Sequence, residues 1–168
     1  MTAPNLTFRE RLLEHSSRIA EVPALVAPAA SITYGELAGE VHALATVLRS
    51  RGVGPGAIVA LTARSEVDHL LAALALLELG APQVALASHD PPAMRLRLAR
   101  RVGATLVLAD RPDDAVAGLD RIDLGAALAS SRANPRGDAE PGFDASIPAL
   151  YLTGSGTTGE PKLIRFSQ

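Results

Sequence analysis

Cysteine is absent from all 168 residues, which removes disulfides, thiolate metal sites, iron–sulfur clusters and any cysteine nucleophile in one step. The absence fits a reducing compartment. An excess of basic charge is missing too: sixteen Lys plus Arg stand against eighteen Asp plus Glu, a formal net charge of -2. A nucleic-acid binder carries a basic excess to neutralise phosphates, so that partner is disfavoured. Long apolar runs are also lacking. Glu21, Glu36, Arg64, Glu78 and Asp90 interrupt every apolar region, so no window of about eighteen residues is free of charge and a membrane-spanning helix is excluded. Within the first twenty residues, Arg9, Glu10, Arg11, Glu14 and Arg18 occupy the place of the uninterrupted apolar stretch that a secretory leader needs. The expected location is therefore cytoplasmic. Lysine itself is almost missing, because fifteen of the sixteen basic residues are arginine and only Lys162 is lysine. No internal repeat or low-complexity tract occurs.

What is present is the balance of a soluble globular protein, 48% apolar and 20% charged in 17.4 kDa, enough for one domain or one and a piece of a second. Thr7-Phe8-Arg9-Glu10 and Thr33-Tyr34-Gly35-Glu36 both read as capping boxes. The first predicts a short helix to about Arg18. The second opens a helix with Leu37, Val41, Leu44 and Leu48 on one face, stopped by Gly52. Residues 57–62 read as a buried strand, and Ser65 starts a helix with Val67, Leu70, Leu71, Leu74 and Leu77 inward, ending at Gly80. A strand at 84–87, a helix capped by Asp90 with Pro91 in its first turn, and a strand at 105–109 continue the alternation. The fold class predicted is α/β, with alternating strands and helices forming a mainly parallel layered sheet. Composition turns to Asn, Pro, Gly, Asp and Glu near residue 132, and a strand follows at 149–153. The predicted organisation is a subdomain over 1–131, a linker over 132–147, and a strand, loop and strand over 148–168.

The stretch most informative about chemistry runs Thr153-Gly154-Ser155-Gly156-Thr157-Thr158-Gly159-Glu160-Pro161-Lys162. Its glycines permit positive φ and close backbone approach, its hydroxyls donate hydrogen bonds, and converging amides in such a turn form a positive nest for an anion. An ordinary polar turn between strands is the alternative reading. Two features favour the anion. The single lysine of the chain closes the loop, and a compact ammonium differs chemically from the guanidinium used everywhere else. The glycine spacing matches a Walker loop, yet Glu160 and Pro161 follow where Lys and Ser or Thr would stand, so a Walker loop is excluded. Leu163-Ile164-Arg165-Phe166 alternates like a strand, which makes a phosphate loop inside a β-hairpin the predicted geometry.

Ser155-Gly156-Thr157-Thr158-Gly159-Glu160-Pro161-Lys162 resembles the phosphate-loop motif of the adenylate-forming ligases, the family of acyl-CoA synthetases, firefly luciferase and peptide-synthetase adenylation domains. Upstream, Thr33-Tyr34, Glu36-Leu37, Leu44-Ala45, Leu48, Gly52-Val53, Gly56, Val59-Ala60 and Gly80-Ala81 look like the opening of these enzymes. Ala57, Arg64 and Val84-Ala85-Leu86 depart from the family's usual residues. Leu163 replaces the usual glycine after the lysine, as in the Lys-Leu-Ile sequences of aryl-acid-activating members.

The resemblance implies the N-terminal part of a ligase that uses ATP, with Mg2+, to activate a carboxylic acid as acyl-AMP with release of pyrophosphate. A thiol or amine acceptor, coenzyme A or a carrier protein, then takes the acyl group. It also implies that Ser155, Gly156, Thr157, Thr158, Gly159 and Lys162 bind phosphates, with Thr153 and Gly154 as weaker members, and Lys162 is the residue carried over as catalytic. The family's carboxylate and adenine pockets, its Mg2+-binding glutamate, its ribose-binding aspartate and its C-terminal lysine come later than this loop. The chain alone is therefore expected to be inactive and to need the remaining part of the ligase in cis or in trans, with apolar surface exposed around Leu150 and Ile164. A noncatalytic split half that docks onto a partner chain is the alternative. Arg95, Arg97, Arg100 and Arg101 read as a solvated helix face, and His15, His42, His69 and His89 lack zinc-site spacing.

Overall fold

A computed structural model describes residues 7–28, 30–135, 148–154 and 162–167. Helix α1 (Phe8–Arg18) begins with the capping box expected of it: the Thr7 hydroxyl accepts from the Glu10 amide at 3.3 Å, and the Glu10 carboxylate accepts from the Thr7 amide at 2.8 Å. A small antiparallel hairpin follows, β1 (Pro23–Ala27) and β2 (Ala30–Thr33), which the sequence pattern does not announce. It leads straight into α2 (Tyr34–Ser50), whose Thr33/Glu36 box has the same 3.3 and 2.8 Å pair. Both glutamates are held below the ordinary carboxyl range, chiefly by the hydrogen bond each accepts from the cap residue's amide. Leu37, Val41, Leu44 and Leu48 are all buried, and Gly52 beyond the helix end takes φ +84, a conformation that favours glycine.

Strands β3 (Val59–Thr62), β4 (Gln83–Ala85), β5 (Leu106–Ala109), β6 (Asp120–Asp123), β7 (Pro148–Gly154) and β8 (Lys162–Ser167) form one sheet in the order β6-β5-β3-β4-β7-β8. Every neighbouring pair is parallel except β7 with β8. The sheet carries α3 (Glu66–Glu78), α4 (Pro92–Val102) and α5 (Leu124–Ala133) on its connections. Strand alternation divides the core in two. Val59, Leu61 and Leu108 pack with α2, α3 and α5 on one face, whereas Ala60, Val84, Val107 and Ala109 pack with Leu98, Ala99 and Val102 of α4 on the other. The mainly parallel α/β sheet ending in a hairpin is as expected.

Several local expectations need correction. In α3 the buried stripe is Leu71, Ala72, Ala75 and Leu76, with Leu70, Leu74 and Leu77 only half-buried. Val67 and Leu74 still pack against this core from its border. The cap of α4 is Pro91, without a side-chain bond, and Pro92 is the first helical residue; Asp90 stands one position too early and its amide closes a turn on the Ala87 carbonyl at 3.1 Å. Strand β6 and helix α5 were not read from the pattern, because the strand's Asp120-Arg121-Ile122-Asp123 offers a single apolar residue. Arg95 does not belong to the solvated face. It is 4% exposed, and its Nη1 lies 3.3 Å from Asp114 Oδ1.

Candidate functional site

The candidate site grows from the C-terminal end of β7. Because β7 runs parallel to β3, β4, β5 and β6, its last residue emerges at the edge of the sheet where the other parallel strands also end, the edge at which open α/β sheets bind ligands. There the chain returns as β8, with Leu152 paired to Ile164, Thr153 to Leu163 and Gly154 to Lys162. The segment 153–162 thus connects two antiparallel strands, the geometry expected for it. Register places the Lys162 backbone directly across from Gly154, at the mouth of the connection, and its side chain is exposed. Gly154 has no atom within 4 Å of the position a Cβ would take, so described residues leave the space above it open. Thr153 is exposed beside it. Ser155, Gly156, Thr157, Thr158 and Gly159 lie outside the described residues.

The same sheet edge holds a polar network that the sequence pattern did not reveal. Asp110, just after β5, accepts from the Arg64 amide at 2.9 Å, which ties the end of β3 to the end of β5. Asp114, 1% exposed, receives Arg95 Nη1 at 3.3 Å and Arg64 Nε at 3.5 Å, and Arg95 Nη2 donates to the Asp113 carbonyl at 3.3 Å. The residues that build it are separated by up to fifty positions, and nothing in their spacing pairs them. Its chemistry is structural: the guanidinium of Arg95 is buried and needs a counter-charge.

The histidines are dispersed over the structure, and His89 is exposed. His15 stacks obliquely on Tyr34, ring centroids 5.2 Å apart, and His42 Nδ1 sits 2.7 Å from Glu78 Oε1, a buried carboxylate between α2 and α3. His69 is half-buried, and desolvation lowers its pKa below 6.5. Among the described residues, no group of three or more His, Asp or Glu side chains comes together as a metal cage.

The family model of AMP-binding enzymes matches residues 12–168, and the chain belongs to that family. Among curated relatives, the 4-chlorobenzoate–CoA ligase of an Arthrobacter species is 33% identical over 141 residues, covering 78% of this chain and 27% of that protein. The fatty acid–[acyl-carrier-protein] ligase MmaC of Mycobacterium marinum is 30% identical over 173 residues, covering 94% and 33% respectively. Among solved structures, the N-terminal subdomain of NpsA from Klebsiella oxytoca in complex with 3-hydroxybenzoyl-AMSN superimposes with a TM-score of 0.84 at 27% identity, over 95% of this chain and 40% of that one. The chain thus spans between a quarter and about two fifths of the length of these three proteins.

Proposed function

We propose that the chain is the N-terminal portion of an ATP-dependent adenylate-forming ligase, which activates a carboxylic acid as acyl-AMP and releases pyrophosphate. The observation that carries this reading is the β7–β8 hairpin, which sets Lys162 across from Gly154 at the C-terminal edge of the sheet and strings the Ser-Gly-Thr-Thr-Gly sequence between them. In this role Ser155, Gly156, Thr157, Thr158 and Gly159 offer amides and hydroxyls to the β- and γ-phosphates, Thr153 and Gly154 border the loop, and Lys162 neutralises charge as pyrophosphate departs. No nucleophile is required of these residues. Mg2+ would accompany the nucleotide and supply further charge neutralisation, with its protein ligands outside this chain. Residues 1–131 serve as the subdomain body, 132–147 as linker, into which the last two residues of α5 extend, and 148–168 as the phosphate-binding hairpin. The acyl acceptor is coenzyme A or a carrier protein, in the cytoplasm.

An aryl or other hydrophobic acid is the substrate class that Leu163-Ile164 supports, and the 4-chlorobenzoate and 3-hydroxybenzoyl groups in the names of the relatives point the same way. Two measurements test the reading. In the chain joined to the remaining part of the ligase, or mixed with it, ATP–pyrophosphate exchange should respond to benzoates above α-amino acids, and a clear preference for an amino acid refutes the substrate class. In the same assembly Lys162→Ala should weaken ATP use by about 1.5–3 kcal/mol, the worth of one charge-assisted contact. Unchanged KM for ATP and unchanged kcat in that variant would remove the lysine from the site. The second reading, a noncatalytic half that docks on a partner, is equally compatible with Leu152, Ile164 and Phe166, which lie 41%, 49% and 46% exposed on the hairpin. It predicts no exchange in any assembly.

A further inference from the structure

We propose that the groove between α4 and the β7–β8 hairpin binds a small organic anion, a phosphate or carboxylate carried on an apolar body. The groove is a cavity of about 360 Å³ lined by Arg101 and Val102 of α4, Tyr151 of β7, and Leu163 and Arg165 of β8. Its construction follows from strand alternation: Tyr151 and Arg165 are cross-strand partners, and Leu163 lies two residues from Arg165, so the three share the face that α4 covers. Val102, the last residue of α4, is buried in the core, and Tyr151 and Leu163 are packed against that core, which makes the floor apolar. The rim is cationic from two sides, Arg101 on the helix and Arg165 on the strand, both exposed.

Charge on this face is concentrated. Helix α4 holds Arg95, Arg97, Arg100 and Arg101 and not one acidic residue, in a chain of net charge -2. Arg95 is consumed by Asp114, whereas Arg97, Arg100 and Arg165 make no ion pair among the described residues. The helix dipole accounts for Arg100 and Arg101 in the last turn. It does not account for Arg165, which approaches from a strand. A charge on an edge strand also deters pairing with another sheet, a task that either sign performs. Ligand binding requires the positive one. A guanidinium pairs with the forked oxygens of phosphate or carboxylate alike, and the volume exceeds what a bare oxyanion fills, so an apolar body fits against Val102, Leu163 and the Tyr151 ring.

The groove lies on the α4 face of the sheet, and the loop of the adenylation reading springs from its C-terminal edge, so the two proposals fail separately. The test is a titration of the 168-residue chain, followed by amide NMR shifts, with phenyl phosphate, benzoate and inorganic phosphate and without nucleotide. Phenyl phosphate or benzoate should shift the amides of Arg101, Tyr151, Leu163 and Arg165 saturably at millimolar concentration. Whichever of the two binds identifies the head group. Arg165→Glu, which keeps a charge on the edge strand, should weaken binding by about tenfold or more, the loss of one charge-assisted contact, and Lys162→Ala should leave it unchanged. Far-UV circular dichroism establishes that both variants are folded, and Arg101→Gln serves if Arg165→Glu is not. The proposal is overturned by an absence of saturable shifts, by equal binding to Arg165→Glu, or by loss of binding in Lys162→Ala. Inorganic phosphate binding as tightly as phenyl phosphate would overturn the apolar half of it.

Discussion

Replacing Asp114 by alanine tests the polar network at the sheet edge. Asp114 and Arg95 are 2% and 5% exposed in their side chains, so among the described residues the variant leaves a buried guanidinium with the Asp113 carbonyl as its remaining partner and with Nε already unpartnered. Breaking a buried pair from one side costs about 3–5 kcal/mol, because the surviving charge keeps its desolvation penalty and loses its attraction. The contact with Arg64 adds little, since that side chain is half exposed and the 3.5 Å separation is long. Urea unfolding followed by far-UV circular dichroism measures the loss, and the midpoint should fall with the slope unchanged. The double variant Arg95→Met/Asp114→Leu removes both charges and should recover most of the stability lost by Asp114→Ala. A loss under about 1 kcal/mol in the single variant, or a double variant no better than the single, would show that Arg95 finds water or another partner and that the pair is not what fixes α4 beside β5.

Thr33→Ala removes the cap of α2 and should cost about 1 kcal/mol in the same assay. The Glu36 half of that box has its pKa lowered in the folded state, so its contribution is present above the ordinary value of 4.5 and is lost as pH falls through the folded value; the gap between the parent and Glu36→Gln should close over that acidic range. For His69 the cause differs but the direction is the same. Burial lowers its pKa below 6.5, so the unfolded chain takes up the proton first and stability declines as pH falls from about 6.5 through the folded value; His69→Gln should flatten this slope, and an unaltered slope would show that the ring is not desolvated.

Much of the architecture was legible locally. Two Thr-x-x-Glu boxes located the starts of α1 and α2, because the bonds involved span three residues and need no partner from elsewhere. The leucine stripe of α2 and the short apolar strands β3 and β5 were equally local, and their alternation with helices leaves a parallel sheet as the economical arrangement. The Ser-Gly-Thr-Thr-Gly sequence and the single lysine after it were visible as composition at one place, and pairing of β7 with β8 needed only the turn and the alternation after it. Strand order was another matter. That β4 lies between β3 and β7, while β5 and β6 continue on the far side of β3, depends on which faces the helices cover, and apolar strands of three or four residues carry no label of their neighbours. Tertiary structure alone decided that Arg95 is buried against Asp114 while Arg97, Arg100 and Arg101 on the same helix stay in solvent, since a run of arginines reads the same until packing turns one of them inward. It also brought Arg165 to the α4 face, across from a helix more than sixty residues earlier in the chain. Local bonds write themselves into adjacent residues; contacts closed over long loops do not, because their partners are chosen by the shape of the assembled sheet.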